Sequence, residues 1–173
     1  MRNVTRFIVD ANLGKLAKWL RIAGYDALFI KDIDDDSLIR IGLEEGRVAL
    51  TRDSHIPRRR VATSGTLKVL LIECDKVEDQ LQQVAQALNL DLRCQPLSRC
   101  LLCNQALMPK TKEEVRELVP PYVFKTQSHF SQCPACGRIY WRGTHWDNME
   151  RELEKLTSSK GNLTADAPCQ AHT

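Results

Sequence analysis

The chain has 173 residues, 43% hydrophobic and 27% charged, with a formal net charge of +3. That length suits one ordinary core, or a small domain with an appendage, and the composition excludes a disordered chain. The weak positive charge permits a polyanionic partner without demanding one. No apolar core of signal-peptide length lies near Met1, and no later run approaches a transmembrane span. A cytoplasmic location with no membrane partner is therefore expected.

Residues 1–94 read as alternating strands and helices. Arg6-Phe7-Ile8-Val9 is an apolar run that leads into Asp10. Asn12 is then expected to cap a helix whose apolar face is Leu13, Leu16, Ala17, Leu20 and Ala23, stopped by Gly24. A second strand is expected over Ala27–Ile30. A second helix starts in the Asp34–Ser37 cluster, buries Leu38, Ile41 and Gly42, and ends near Gly46. Val48–Thr51 and Leu67–Ile72 are the third and fourth strands, with a short helix or loop carrying Arg58-Arg59-Arg60 between them. Val77, Leu81, Val84, Ala85 and Leu88 mark one face of a further helix. This repetition predicts an α/β fold with a parallel sheet flanked by helices and right-handed crossovers.

Composition changes near Gln95. Residues 95–156 contain Cys100-Leu-Leu-Cys103, Cys133-Pro-Ala-Cys136-Gly137 and a short charged helix over 147–156. Residues 157–173 are rich in Ser, Thr, Asn, Gly and Ala and are expected to form a disordered tail. Two C-x-x-C turns each point two thiolates at one ion, which makes a tetrahedral zinc site, Cys100, Cys103, Cys133 and Cys136, the expected outcome. Gly137 is expected to let backbone N–H groups reach the cysteine sulfurs. The same quartet resembles rubredoxin, an iron-based electron carrier, but Asn104 stands where that family usually has glycine. Four protein ligands leave no open position, so the site is read as structural. Cys74 is expected in the core, while Cys94 and Cys169 have no assigned role.

The first three strands deliver Asp10, the Asp34-Asp35-Asp36 cluster and Asp53 at or just past their C-terminal ends. Parallel strands bring those ends together, where open α/β sheets bind ligands. Converging carboxylates call for a hard cation, Mg²⁺ or Mn²⁺, which could activate a water for phosphodiester cleavage. We take Asp10, Asp35 and Asp53 as the catalytic and cation-binding set. At least one member of the Asp34–Asp36 run is expected to be a plain helix cap. Lys15, Arg52, Arg58, Arg59 and Arg60 are the candidate contacts to a phosphate backbone. Trp141 and Trp146 are read as packing the ribbon in preference to stacking on bases. Nucleotide-cofactor and serine-hydrolase motifs are absent from the sequence.

Phe7-Ile8-Val9-Asp10, Leu13-Gly14-Lys15-Leu16-Ala17-Lys18-Trp19-Leu20-Arg21, Gly24-Tyr25-Asp26, Thr51-Arg52-Asp53 and Cys133-Pro-Ala-Cys136-Gly137-Arg138-Ile139-Tyr140-Trp141 occur in this order. The series resembles the Mutator-seven C-terminal RNase domain family over roughly residues 6–150. The resemblance implies a PIN-like nuclease domain (residues 1–94) followed by a zinc ribbon (95–156). It also implies Mg²⁺- or Mn²⁺-dependent cleavage of RNA that leaves a 5′-phosphate. By position, Asp10, one of Asp34–Asp36, and Asp53 match the acidic sites, and the cysteine quartet matches the ribbon. The alternative is a non-catalytic RNA- or protein-binding adaptor that makes its contacts through the ribbon.

Overall fold

The computed structural model describes residues 5–93 and 95–158. Cys94, Cys169 and the tail from residue 159 onward lie outside the described residues. Strands β1 (Arg6–Val9), β2 (Asp26–Phe29), β3 (Val48–Thr51) and β4 (Val69–Leu71) form one parallel sheet in the order β2-β1-β3-β4. All of β3 and the last three residues of β1 are buried, as expected of strands covered on both faces. Pleating sends Phe7 and Val9 to one face and Ile8 to the other. Val9 is in register with Phe29 on one side and Leu50 on the other. The residues that follow these three therefore emerge along a common edge.

Helices α1 (Gly14–Ile22) and α4 (Val77–Ala87) cover the Phe7 face, and α2 (Asp35–Glu45) covers the Ile8 face with Leu38 and Ile39. Ile41, expected in the core, is only half-buried, and its neighbour Ile39 takes that place. A short α3 (Arg60–Thr63) links β3 to β4. The fourth strand is shorter than the apolar run suggests, because the Leu67 N–H bonds to the Val61 carbonyl and closes the α3 turn. The start of the first helix differs too. Asp10, not Asn12, is the cap: its carboxylate accepts the Asn12 N–H at 3.3 Å and opens a 3-10 turn over Ala11–Leu13 ahead of α1.

The C-terminal region forms a second sheet. Strands β5 (Met108–Lys110), β6 (Phe130–Gln132) and β7 (Ile139–Trp141) pair antiparallel, with α5 (Pro121–Thr126) in the long connection. Val115, Val119 and Phe130 make a small core of their own. The last helix, α6 (Thr144–Ser158), is longer at both ends than the charged stretch suggested. Its Met149 and Leu153 lie in the same core as α1 and α4. Burial of a leucine such as Leu153 contributes roughly 1.5–3 kcal/mol, so α6 fastens the ribbon to the α/β body. Cys74 is buried, as expected, and is disulfide-bonded, which the sequence did not suggest.

Candidate functional site

The C-terminal edge of the parallel sheet collects the carboxylates. Asp10 directly follows β1 and is 9% exposed. Its backbone N–H bonds to the Leu50 carbonyl at 2.9 Å, which ties it to β3. One carboxylate oxygen accepts the Asn12 N–H, and the other accepts the Thr51 hydroxyl at 2.8 Å and the Arg52 N–H at 3.3 Å. The same Thr51 hydroxyl accepts the Asp53 N–H at 2.9 Å. Thr51 is fully buried. Its single oxygen thus fixes the spacing of Asp10 and Asp53, a role the sequence reading missed. The signal was present as a hydroxyl residue at the end of an otherwise apolar strand. Asp53 is half-buried, and its carboxylate accepts the His55 N–H at 2.7 Å.

The three-aspartate run divides its tasks. Asp34 is the cap of α2, accepting the N–H and hydroxyl of Ser37. Asp36 is exposed and bonds to Arg59 at 2.6 Å. Asp35 is half-buried, with Arg59 at 3.9 Å. Partial burial pushes the Asp35 carboxyl above its ordinary range, and the charges of Asp53 and Asp10 add to the push against the pull of Arg59. Asp35 therefore senses the charges of Asp53 and Asp10 across the edge. The donor set of the three is all oxygen, which suits Mg²⁺ or Mn²⁺. Among the described residues, however, the only three or more ligand atoms within 4.8 Å of one another are the four cysteine sulfurs.

The candidate basic contacts fall into two groups. Lys15 and Arg52 line a hollow of about 650 Å³ that opens between the start of α1 and the uncapped N-terminus of α4. Arg52 is ion-paired there with Asp75 at 2.6 Å. Arg58 and Arg60 are exposed, while Arg59 is engaged by the aspartates of α2. The arginine triplet is thus not a uniform track.

The cysteine quartet sits at the other end of the sheet. The two turns share one geometry: Cys100 N–H bonds to the Gln105 carbonyl and Asn104 N–H to the Cys100 carbonyl, and Cys133–Arg138 and Gly137–Cys133 repeat the pattern. The fifth residue of each turn is left-handed, Asn104 at φ 63° and Gly137 at φ 72°. The Cys103 N–H donates to the Cys100 Sγ at 3.4 Å. The Cys100 and Cys136 sulfurs are 3.7 Å apart. A tetrahedron with zinc–sulfur bonds of about 2.3 Å has edges of roughly 3.8 Å, so the quartet could hold a metal ion such as zinc. Burial pushes the Cys100 thiol up, but the Tyr140 hydroxyl at 3.2 Å and the N–H groups of Cys103 and Leu102 outweigh it and bring the thiol down to about 6. That favours a thiolate at Cys100, while the neighbouring sulfurs push Cys103 up to about 12 and burial raises Cys133, protons that a bound metal would displace.

This metal centre is stitched to the N-terminal ends of the strands. The Asn104 side chain accepts the Ala27 N–H at 2.9 Å and donates to Asp26 at 2.7 Å. Buried Arg21 on α1 donates to the carbonyls of Ala27, Leu101 and Leu102. Its charge also interacts with Cys100 and Cys103, which suits the net negative charge of a metal tetrathiolate. From the sequence Arg21 reads as an extension of the phosphate-binding track and Asn104 as a departure from the rubredoxin pattern. The burial of Arg21 withdraws the first, and the joining role of both emerges only with the fold. Arg21 lies one helical turn beyond the buried Ala17, and a cation on that face needed a partner.

No helix among the described residues is long and apolar enough to cross a membrane. Neither a curated protein nor a solved structure matches the chain. The family model for the Mut7-C RNAse domain does match, over residues 5–153. Acidic edge, cysteine quartet and family match span the same stretch, and the chain belongs to the Mut7-C RNAse domain family.

Proposed function

We propose that this protein is a metal-dependent ribonuclease whose reaction takes place at the C-terminal edge of the parallel sheet. The observation that carries this reading is the gathering of Asp10, Asp35 and Asp53 at one sheet edge, close enough that the charges of Asp53 and Asp10 oppose ionisation of Asp35. A cation held among these carboxylates would relieve that opposition. Asp10, Asp35 and Asp53 would hold Mg²⁺ or Mn²⁺, which supplies an activated water and charge for the leaving oxygen. Thr51 keeps Asp10 and Asp53 in place through its hydroxyl. Lys15 and Arg52 line the adjoining hollow, where the RNA backbone would lie. Arg58 and Arg60 extend that positive surface, and Arg59 tempers the aspartates of α2. The quartet Cys100, Cys103, Cys133 and Cys136 holds structural zinc, and residues 1–94 and 95–156 serve as the nuclease and ribbon parts of a cytoplasmic protein.

A specific observation supports a second reading. Asp10 and Asp53 already cap local turns, and Arg59 already neutralises the α2 aspartates. That pattern would also suit a non-catalytic adaptor that binds RNA or protein through the ribbon. Labelled single-stranded and structured RNAs, incubated with Mn²⁺ or Mg²⁺, separate the two. Wild type should cleave, Asp10→Asn purified identically should not, and EDTA should stop the reaction. Equal cleavage by both proteins would place the activity elsewhere. RNA binding without cleavage would favour the adaptor.

A further inference from the structure

Between β7 and α6 the surface folds into two adjoining hollows that share Tyr140, Trp141 and Trp146. One, of about 230 Å³, has Leu97, Leu101 and Met149 among its apolar walls. The other, of about 260 Å³, adds His129, Ser131 and Arg142. No acidic side chain lines either hollow. The Arg142 guanidinium lies over the Trp146 ring at 5.9 Å and also reaches Glu150 at 3.3 Å. The Trp146 indole Nε1 is buried and has no hydrogen-bond partner. A buried donor left without an acceptor costs about 1–3 kcal/mol, and native proteins hold few of them. The metal centre does not use these groups; of the three rings only Tyr140 reaches it, through its hydroxyl.

We propose that this paired hollow receives an unpaired nucleobase of an RNA strand. A base offers a flat π-face for the aromatic walls. Its phosphate suits a guanidinium and an imidazole at the rim. An aliphatic side chain from a protein partner would fill the apolar walls but leave Arg142 and His129 unused. The hollow belongs to the ribbon, which is joined to the sheet at the N-terminal end of β2, whereas Asp10 and Asp53 follow the C-terminal ends of β1 and β3. It is therefore a separate subsite that would hold a strand away from the point of cleavage. This inference rests on the reading that RNA is the substrate.

The test uses the full-length, zinc-loaded protein in buffer without added divalent ions, so that nothing is cleaved. A fluorescent octamer of uridylate is compared with one of equal length whose central residues lack bases. Stacking predicts binding of the abasic strand weaker by about five-fold to a hundred-fold. Trp146→Leu should erase most of that difference, and Arg142→Gln should weaken both strands about equally by removing the phosphate contact. Folding is checked by zinc content and near-ultraviolet circular dichroism. Arg142→Gln sits on the surface and, if the tryptophan variant fails to fold, still locates the strand at this hollow through that uniform loss. Equal affinity for the two strands, an unchanged difference in folded Trp146→Leu, or unchanged affinity of both strands for Arg142→Gln overturns the subsite while leaving the nuclease reading intact. Failure of wild type both to bind and to cleave any RNA overturns both.

Discussion

The two ends of the parallel sheet each gather aspartates, yet they treat them in opposite ways. At the N-terminal end, burial alone would raise the Asp26 carboxyl. Hydrogen bonds from Arg47 at 2.6 Å and Asn104, with the charges of Arg47 and Arg99, outweigh that and hold it below its ordinary value. At the C-terminal end, burial raises Asp35, and Asp53 and Asp10 raise it further. One end is a finished network in which every charge has a partner. At the other, Arg59 offsets only part of the push on Asp35, and on the proposed function a cation would supply the rest. Residue type alone does not tell a structural carboxylate from a functional one. The sign of its surroundings does.

Breaking the C-terminal end should give the largest effect. Removing one cation ligand forfeits several kcal/mol of transition-state stabilisation, so Asp10→Asn should slow RNA cleavage by on the order of a hundred-fold or more. Its stability should fall by only about 1–2 kcal/mol, because the amide keeps one accepting oxygen in place of two. The finished end should respond in reverse. Asp26→Ala leaves the buried Arg47 guanidinium without its main partner, and such losses cost about 3–5 kcal/mol. For a chain of this length that corresponds to a fall of roughly 6–20 °C in melting temperature. Cleavage per folded molecule should persist. An Asp26→Ala protein that melts normally but cannot cleave would invert the comparison.

Much of this was legible in the sequence, and the omissions share a cause. The four parallel strands, the α2 cap at Asp34 and the cysteine turns follow from apolar runs, local capping chemistry and fixed spacing. Each of those signals is contained within a few residues. The roles of Thr51, Arg21, Asn104 and Asp26 were missed because they are set by partners far along the chain. Asn104 and Ala27 are 77 residues apart, and Arg21 and Leu101 are 80 apart. The Asn12 assignment failed for a subtler reason. Both Asp10 and Asn12 are good capping residues, and only the 3-10 turn observed between them gives the task to Asp10.

Asn104 sharpens the comparison at an intermediate scale. It occupies the left-handed position that Gly137 fills in the sister turn, so Asn104→Gly relieves backbone strain of about 1–2 kcal/mol. It also deletes two hydrogen bonds to β2, worth roughly 0.5–1.5 kcal/mol each and more where Asp26 carries charge. We expect a net loss of about 1 kcal/mol in urea denaturation, with zinc content unchanged. A neutral or stabilised variant would mean that the residue serves only the turn.

The smallest expected effect concerns pH and cations together. Asp26, with its folded pKa below the ordinary 3.8, contributes stability that is complete above that value and lost as pH falls through the folded one. Asp35 runs the other way. Its folded pKa is raised, so its contribution is complete below 3.8 and lost as pH climbs through the folded value. Asp26→Asn should therefore flatten the acid limb of a stability profile, and Asp35→Asn should flatten the slope just above it. At neutral pH without divalent ions, Asp35→Asn relieves repulsion from Asp53 and Asp10 but loses attraction to a partly exposed Arg59. The net change should stay within about 1 kcal/mol. Manganese then distinguishes a cation site from a merely acidic surface. A site filled to a hundred times its dissociation constant gains about 2.7 kcal/mol. Wild type should gain stability in Mn²⁺ and Asp35→Asn should gain much less. The same gain in both proteins would remove Asp35 from the cation site. No gain in either would leave the acidic edge without the ion the proposed function calls for.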